Sequence, residues 1–436
     1  MTVDVPGMVA MSTPALDNSQ VRALLAAADR AEAQGQPEES ARLLGTARSL
    51  APEHPAVLGA YGVQVLRKGD AAEAKSLFER AIAGDPSNAS LFLNLASSLR
   101  ELKDTDGEAK ALERALTLDP FFFLALIQKA SLLDLQGKSK SAARTYQRAL
   151  AVLRPGMPLP RSWQPFIEHA QRTALANLGA LDKWLQEHMQ EVRRQHAGEA
   201  QDRVDDCLGA ILGKNRIYVQ QPTFTHFPRL PAIQFYDRKD FPWLERVEAA
   251  TDEIRDELAG LLREARSEFV PYLNHAADEP LNQWKELNDS KRWSALFLFK
   301  DGKRLEENVA RCPKTVAALE AAPVVRIPHR GPTSLFSLLE PRTRIPPHTG
   351  TTNTRLTVHI PLIVPPKCGF RVGTQIREWH PGTALIFDDT IEHEAWNDSD
   401  EDRTILIFDI WNPLMTPAER ALMTTAAAAI AEFYAE

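Results

Sequence analysis

Cysteine is scarce in this 436-residue sequence, which has only Cys207, Cys312 and Cys368. No two of them form the CxxC pair from which many zinc sites are built, so the spacing excludes that type of site and favours a reducing compartment. No uninterrupted apolar run approaches the roughly 18 residues of a membrane-spanning helix, and the first 20 residues lack the basic start and apolar core of a secretory signal. We therefore expect a cytoplasmic protein without a membrane anchor.

An excess of positive charge is also missing. Lys and Arg number 51 against 58 Asp and Glu, which gives a net charge of -7. Proteins that bind nucleic acids neutralise phosphates with basic surfaces, so we expect no nucleic-acid partner. Apolar residues at 44% and charged residues at 25% are ordinary values for a globular protein. The length exceeds that of a single hydrophobic core and predicts two or three domains.

The first third of the chain repeats itself with a period of 34 residues. A generic helical bundle needs no fixed period, whereas stacked repeats do. Glycines share one phase at Gly35, Gly69 and Gly137, with Lys103 as the exception. The other columns are Pro52, Pro86 and Pro120; Ala47, Ala81, Ala115 and Ala149; Ala28, Gly62, Ala96 and Ala130; and Leu44, Phe78, Leu112 and Tyr146.

These columns resemble the tetratricopeptide repeat, a helix-turn-helix unit of the same period. The resemblance implies an α-helical solenoid of about four repeats over 21–155, which follows a flexible N-terminal tail over 1–20. Apolar residues at helical spacing predict a helical spacer over 156–214. Solenoids of this kind present concave binding surfaces, so we expect a peptide or protein partner for the array.

The pattern changes in the second half of the chain. The stretch LERVEAATDEIRDELAGLLREARSEF still has the period of an amphipathic helix. From about residue 333, short runs rich in Val, Ile, Phe and Thr alternate with Pro and Gly turns, as in SLFSLLEP, RLTVHIPLIVP, TALIFDD and RTILIFDIW. This spacing is typical of a sandwich or barrel. We predict an α+β multidomain protein, in which a jelly-roll domain with flanking helices occupies 215–436.

One strand, 355–362, alternates strictly. Arg355, Thr357 and His359 share one face, while apolar residues occupy the other. Two interpretations remain open from the residues alone: the polar row lines an interior that binds a polar ligand, or it faces solvent.

Two histidines stand out near this strand. His348 lies in PPHTGTTNTRLTVHIPL and His393 in TIEHEAW, 45 residues later. Many non-haem iron sites place a carboxylate two residues after the first histidine, but here that position is Gly350. The histidines either meet across a barrel mouth or are ordinary loop residues, and the spacing does not decide between these alternatives.

The segments HTGTTNTRLTVHIPL, GTALIFDDTIEHEAWN, RTILIFDIWNP and CPKTVAALE resemble the aspartyl/asparaginyl β-hydroxylase family. The resemblance covers about 215–436 and implies an oxygenase that uses Fe(II), 2-oxoglutarate and O2. It makes His348 and His393 the iron ligands and gives glycine, not a carboxylate, as the family's residue at position 350. It also assigns Arg403 and Ser337 to the distal carboxylate of 2-oxoglutarate.

The same resemblance places His359 at the other end of 2-oxoglutarate and Arg355 beside the acidic side chain of a substrate. The sequence departs from the family at Thr357, where an arginine commonly helps to hold the C1 carboxylate. Losing such a charge-assisted bond weakens binding by about ten- to a hundred-fold unless Arg342, Arg344 or Arg355 replaces it. We further expect Asp388, Asp389 or Glu394 to orient a bound water or a ligand ring N–H.

Three hypotheses follow. In the first, the protein hydroxylates an Asp or Asn side chain of a peptide or protein that the repeat array recruits. In the second, the same chemistry acts on a small molecule or a lipid-linked acyl chain. In the third, the departure at Thr357 marks an interaction scaffold whose oxygenase domain is inactive.

Overall fold

The computed structural model describes residues 18–154, 156–276, 282–328 and 330–434. The predicted tail lies outside these residues, except for its last three, with which the first helix begins. The described chain divides into two compact units, one up to Glu199 and one from Ala200. The domain limits that we expected from the sequence, 155 and 214, remain predictions.

Four helix pairs form the start of the first unit within the described residues. Each pair packs against the next, as expected for stacked repeats. The helices are α1 (Asn18–Ala33), α2 (Pro37–Leu50), α3 (Pro55–Arg67), α4 (Ala71–Gly84), α5 (Ala89–Glu101), α6 (Thr105–Leu118), α7 (Phe123–Leu135) and α8 (Ser139–Val152).

The repeat columns have the structural roles that their residue types predict. Gly35, Gly69 and Gly137 adopt positive φ angles in the turns within the pairs, a conformation that glycine tolerates without strain. Lys103 occupies the same phase with a φ of 61°, so the turn keeps its shape even where the glycine is absent. At Gly62 an added Cβ would lie 2.7 Å from Phe78, which shows how closely the paired helices approach.

The predicted spacer is helical but divides between the two units. Helix α9 (Gln164–Gln195) packs its first turns against the last repeat through Ile167 and Ala170. Helix α10 (Asp202–Ile211) belongs to the second unit, where Thr374 donates a hydrogen bond to Asp206 at 2.8 Å. Across the described ranges, no helix has an apolar stretch of the length and hydropathy needed to cross a membrane.

Eleven strands in the described part of the second unit form two antiparallel sheets. They are β1 (Val270–Pro271), β2 (Trp293–Lys300), β3 (Lys303–Arg304), β4 (Ser334–Leu339), β5 (Thr343–His348), β6 (Arg355–Ile363), β7 (Cys368–Val372), β8 (Gln375–Arg377), β9 (Leu385–Phe387), β10 (His393–Asn397) and β11 (Arg403–Trp411). The larger sheet has the order β1-β2-β4-β11-β6-β9, with β3 paired to β2, and the smaller sheet has the order β5-β10-β7-β8. From β4 onward the chain passes repeatedly between the two sheets, which is the predicted jelly-roll arrangement.

The larger sheet packs on both faces. Residues such as Leu356, Val358 and Ile360 contact helices on one face, while the opposite face meets the smaller sheet in a core that includes Phe370 and Phe387. The helices of this unit that follow α10 are α11 (Leu244–Ala249), α12 (Thr251–Glu264), α13 (Glu306–Arg311), α14 (Pro313–Leu319) and α15 (Pro417–Phe433). Thus the single amphipathic helix expected around 244–269 is interrupted between α11 and α12.

Candidate functional site

A cavity of about 660 Å³ opens between the two sheets. Its lining includes all six residues that the sequence singled out, which are Ser337, His348, Arg355, His359, His393 and Arg403. Because β6 turns its apolar row towards the helices, its polar row of Arg355, Thr357 and His359 faces this interior. The alternative in which this polar row faces solvent is wrong.

The two histidines meet across neighbouring strands of the smaller sheet. His348 ends β5 and His393 begins β10, the two are directly paired in the sheet register, and their ring centroids lie 4.0 Å apart. The Nδ1 atom of His348 lies 2.8 Å from the Pro346 carbonyl oxygen, and that of His393 lies 3.0 Å from the Ile391 carbonyl oxygen. With Nδ1–H donated to a carbonyl, each ring keeps Nε2 available as a metal ligand.

Burial keeps this pair uncharged. It lowers the pKa of His348 below its ordinary value, and burial together with the neighbouring His348 lowers the pKa of His393 well below its ordinary value. A neutral imidazole offers a lone pair to a metal, whereas a protonated one does not. The described residues contain no cluster of three or more His, Cys, Asp or Glu side chains suited to one metal ion, so the candidate centre has two histidines.

Gly350 has a steric reason to be glycine. A Cβ atom at this position would collide with the carboxyl group of Asp389, which approaches from the segment before His393. Asp389 Oδ1 is buried and has no hydrogen-bond partner among the described residues, and burial raises the pKa of Asp389 to about 7. A carboxyl group therefore occupies the neighbourhood of the missing ligand, although it comes from another part of the chain.

Only one of the three carboxylates expected to orient the metal site lines the cavity. Asp389 does so, whereas Asp388 accepts hydrogen bonds from Thr390 and Gln220, and Glu394 pairs with Arg371. Since backbone carbonyls orient both histidine rings, the prediction that one of these carboxylates would hold a ring N–H is wrong.

Arg403 is a buried cation without a counter-ion among the described residues. Its side chain is 1% exposed, lies over the Trp379 ring at 4.7 Å, and leaves Nε and Nη1 without a hydrogen-bond partner among the described residues. Burial lowers the pKa of Arg403 to about 10, which still leaves it charged at neutral pH. Such a group is costly unless an anion completes it, so this end of the cavity fits a carboxylate.

Two further polar side chains lie near Arg403, and one of them, His359, was expected at the other end of 2-oxoglutarate. Ser337 accepts a hydrogen bond from Trp293 at 3.2 Å, so its own hydroxyl hydrogen can be donated to a ligand. His359 is buried among Phe370, Phe387 and Trp379, and its Nδ1 has no partner among the described residues. Burial lowers the pKa of His359 well below its ordinary value, so it is a neutral hydrogen-bonding group.

Arg355 lies at the other end of the cavity and is already paired. Its Nη1 donates to Asp409 at 2.7 Å and its Nη2 donates to Thr351 at 3.0 Å. Thr357 Oγ1 lies 3.4 Å from the other oxygen of Asp409. The arginine and the threonine thus share one buried carboxylate.

The replacements proposed for the missing family arginine do not reach the cavity. Arg342 is exposed and pairs with Asp400, and Arg344 is exposed and pairs with Asp398. The expectation that either of them takes over is wrong, and of the three candidate arginines Arg355 is the one that lines the cavity.

Asp409 and the aromatic wall of the cavity were not predicted from the sequence. Asp409 lies six residues after Arg403 on β11, so strand alternation alone assigns both to one face. The wall contains Tyr272 and Trp293, whose rings stack at 4.0 Å. No local pattern marks these two, because Tyr272 follows β1 and Trp293 begins β2.

Comparisons with known families agree with this arrangement. A family model described as "Aspartyl/Asparaginyl beta-hydroxylase" matches residues 248–413. A tetratricopeptide repeat model matches residues 25–89 and 64–121. The recognition of both parts from the sequence is therefore confirmed.

Similar proteins differ in their named activities. The chain is 37% identical over 186 residues to "Ornithine lipid ester-linked acyl 2-hydroxylase" of Rhizobium tropici, which covers 42% of this chain and 62% of that protein. It is 34% identical over 180 residues to "Aspartyl/asparaginyl beta-hydroxylase" of Homo sapiens, which covers 41% of this chain and 24% of that protein. The match thus spans less than two thirds of either relative, and it supports hydroxylase activity without a particular substrate.

Proposed function

We propose that this chain, which carries tetratricopeptide repeats and an aspartyl/asparaginyl β-hydroxylase family domain, is a dioxygenase that hydroxylates an unactivated carbon with Fe(II), 2-oxoglutarate and O2. One observation supports the proposal most strongly: a neutral histidine pair and a buried arginine without a counter-ion among the described residues line the same cavity. The histidine pair is what a metal site needs, and the arginine is what a dicarboxylate cosubstrate needs.

His348 and His393 would hold the iron through Nε2, with both rings oriented by backbone carbonyls. Bound Fe(II) supplies the oxidising chemistry, in which 2-oxoglutarate and O2 give succinate, CO2 and a hydroxylated product. Asp389 would hold water beside the histidines, because its carboxyl group lies against Gly350 and has a buried oxygen free to accept.

Arg403 and Ser337 would bind the distal carboxylate of 2-oxoglutarate. The guanidinium provides unpartnered N–H groups, and the Ser337 hydroxyl is oriented by Trp293. His359 would contact the cosubstrate as a neutral ring, because burial and the neighbouring Arg403 lower its pKa. The aromatic wall of Tyr272 and Trp293 would exclude water from the space around the histidines.

For the substrate, we retain the β-carbon of an Asp or Asn side chain in a peptide or protein that the repeat array recruits. The array offers a groove of about 390 Å³ between α5, α7 and α9, with Asn94, Ser97 and Phe166 among its lining residues. Arg355 would contact the side chain of the substrate.

An acyl chain is the second candidate, and the lining of the cavity favours it. Apolar side chains in the cavity lining include Phe224, Val325, Ile327 and Met423, a composition that suits a hydrocarbon chain. The similarity to the rhizobial acyl 2-hydroxylase is consistent with this candidate.

The activity is tested by anaerobic titration with Fe(II) and 2-oxoglutarate, followed by exposure to O2. We expect a weak visible charge-transfer band and subsequent succinate formation, both lost in His348→Ala and His393→Ala. His380→Ala is the matched control, because His380 is exposed and lies outside the cavity lining. A wild-type protein with neither band nor succinate would favour the inactive scaffold instead.

Recruitment is tested separately with Phe166→Asp, which places a charge in the repeat groove. We expect this change to lower hydroxylation of a macromolecular substrate while leaving substrate-free succinate formation unchanged. Leu135→Asp is the control, because Leu135 is 77% exposed and lies outside the groove lining. Equal effects of the two changes would contradict recruitment through this groove.

A further inference from the structure

We propose that Asp409 is a specificity-determining residue, because it engages Arg355 and so withholds this guanidinium from ligand carboxylates at the histidine-side end of the cavity. The group that the substrate presents there is consequently uncharged, such as an amide or an ester. This inference rests on the proposed function, since it concerns the same cavity.

The ion pair between Arg355 and Asp409 is built into adjacent strands. Asp409 on β11 is directly opposite Thr357 on β6, and Trp411 is opposite Arg355, so the two charged side chains lie diagonally across one strand pair. The Arg355 and Asp409 side chains are 21% and 10% exposed. At this degree of burial, the partners are screened little by solvent and are costly to separate.

Each terminal nitrogen of Arg355 makes one hydrogen bond within the protein, from Nη1 to Asp409 and from Nη2 to Thr351. Its Nε is buried without a partner among the described residues, so Asp409 balances the charge of Arg355 but does not use all of its N–H groups. An arriving carboxylate would have to displace Asp409 from the guanidinium. Asp409 would then be a buried charge without a partner, which is unfavourable, whereas an uncharged group leaves the pair intact.

Because Thr357 is uncharged, the single cation Arg355 faces the single anion Asp409 in this strand pair. An arginine at this position would add a second cation beside Asp409 and leave one guanidinium free for a ligand. Thr357 supplies only a hydroxyl, at 3.4 Å from Asp409. The carboxyl groups of Asp389 and Asp301 and the exposed Arg330 also line the cavity, so, apart from Arg403, its cations do not outnumber its carboxyl groups before a metal binds. At the Arg403 end, in contrast, a buried cation is unbalanced.

The decisive measurement compares two ligands that differ at one end. 2-Oxoglutarate carries a C1 carboxylate, and 4-oxopentanoate replaces it with a methyl group while keeping the distal carboxylate. Calorimetric titration of the Mn(II)-loaded full-length protein gives the ratio of their affinities. We expect Asp409→Asn and Thr357→Arg each to raise this ratio by about tenfold or more, which is the lower range for one charge-assisted hydrogen bond.

Asp398→Asn is the matched control, because it removes a carboxylate that pairs with an arginine outside the cavity lining. We expect it to leave the ratio unchanged. Thermal unfolding checks that Asp409→Asn remains folded, and Thr357→Arg provides the same test with Asp409 in place. If both variants keep the wild-type ratio, the inference is overturned.

A second experiment measures the binding of two substrate-like probes, N-acetyl-aspartate amide and N-acetyl-asparagine amide. Each probe is titrated into protein loaded with Mn(II) and 2-oxoglutarate. We expect Asp409→Asn to gain affinity for the aspartate probe and not for the asparagine probe. No gain, or an equal gain for both, counts against the inference. The proposed function fails in a different way, in which the wild-type protein does not bind 2-oxoglutarate at all.

Discussion

Two arginines at opposite ends of one cavity differ in whether the described protein supplies them with an anion. Arg403 has no anionic partner among the described residues, and Arg355 pairs with Asp409 at 2.7 Å. Both lie on the face of the larger sheet that meets the smaller sheet. A buried arginine therefore indicates a ligand only when the protein leaves its charge unbalanced, because an arginine in an ion pair already has its anion.

The largest expected effect comes from Arg403→Met. Removing one partner of a buried charge pair costs about 2–5 kcal/mol, so we expect the affinity of the Mn(II)-loaded protein for 2-oxoglutarate to fall by about a hundredfold or more. Calorimetric titration measures this, and Arg344→Met, an exposed arginine outside the cavity lining, is the control. Retained affinity would show that the distal carboxylate binds elsewhere.

Arg355→Met should instead act on stability. It leaves Asp409 buried and unpaired, so we expect the free energy of unfolding to fall by about 3–5 kcal/mol. Denaturant titration measures the change, and the double variant Arg355→Met with Asp409→Leu should recover most of it. If the single variant is as stable as the wild type, the ion pair does not contribute to the free energy of unfolding as its burial implies.

Gly350→Ala tests whether glycine is needed at this position to make room for the Asp389 carboxyl group. Its Cβ would collide with the Asp389 carboxyl group, and overpacking of this kind costs about 1–3 kcal/mol. Gly260→Ala, inside α12 where an added Cβ meets nothing within 4 Å, should stabilise by about 0.5–1 kcal/mol. Thermal unfolding should therefore move in opposite directions for the two variants, and a shift of the same sign would refute the steric role of Gly350.

The smallest effect is expected from Thr357→Val, which keeps the shape and removes the hydroxyl. Its contact with Asp409 is long at 3.4 Å, so we expect the free energy of unfolding to change by less than about 1 kcal/mol. Denaturant titration alongside the wild type measures this. A larger loss would make Thr357 a necessary partner of Asp409 in addition to Arg355.

Regular patterns made the two kinds of domain predictable. The 34-residue columns became the buried seams and turns of the helix pairs, including the turn at Lys103. The strict alternation of β6 separated its apolar row from its polar row correctly, because side chains in a strand must alternate. Irregular segments were harder, as shown by the break between α11 and α12.

The partners of the site residues were less accessible to prediction. Arg342 and Arg344 are close in sequence to His348, yet they pair with Asp400 and Asp398 and lie outside the cavity lining. Asp388 and Asp389 are adjacent, yet only Asp389 lines the cavity. Arg342 precedes β5, and Asp388 and Asp389 follow β9, so strand alternation does not assign these side chains to a face, and closeness in sequence does not give closeness in space.

Period and alternation are local properties of the chain, so the sequence predicted the repeat array and the strand faces. Through the family resemblance it also predicted six site residues, all of which line one cavity. The tertiary structure was needed to show that Asp409 neutralises the charge of Arg355, whereas Arg403 has no anionic partner among the described residues. It was also needed to show that the Asp389 carboxyl group approaches Gly350. These pairings join β6 to β11 and one end of β5 to the segment before β10. Charge balance in a buried site depends on which side chains meet there, and that is set by how the strands pair.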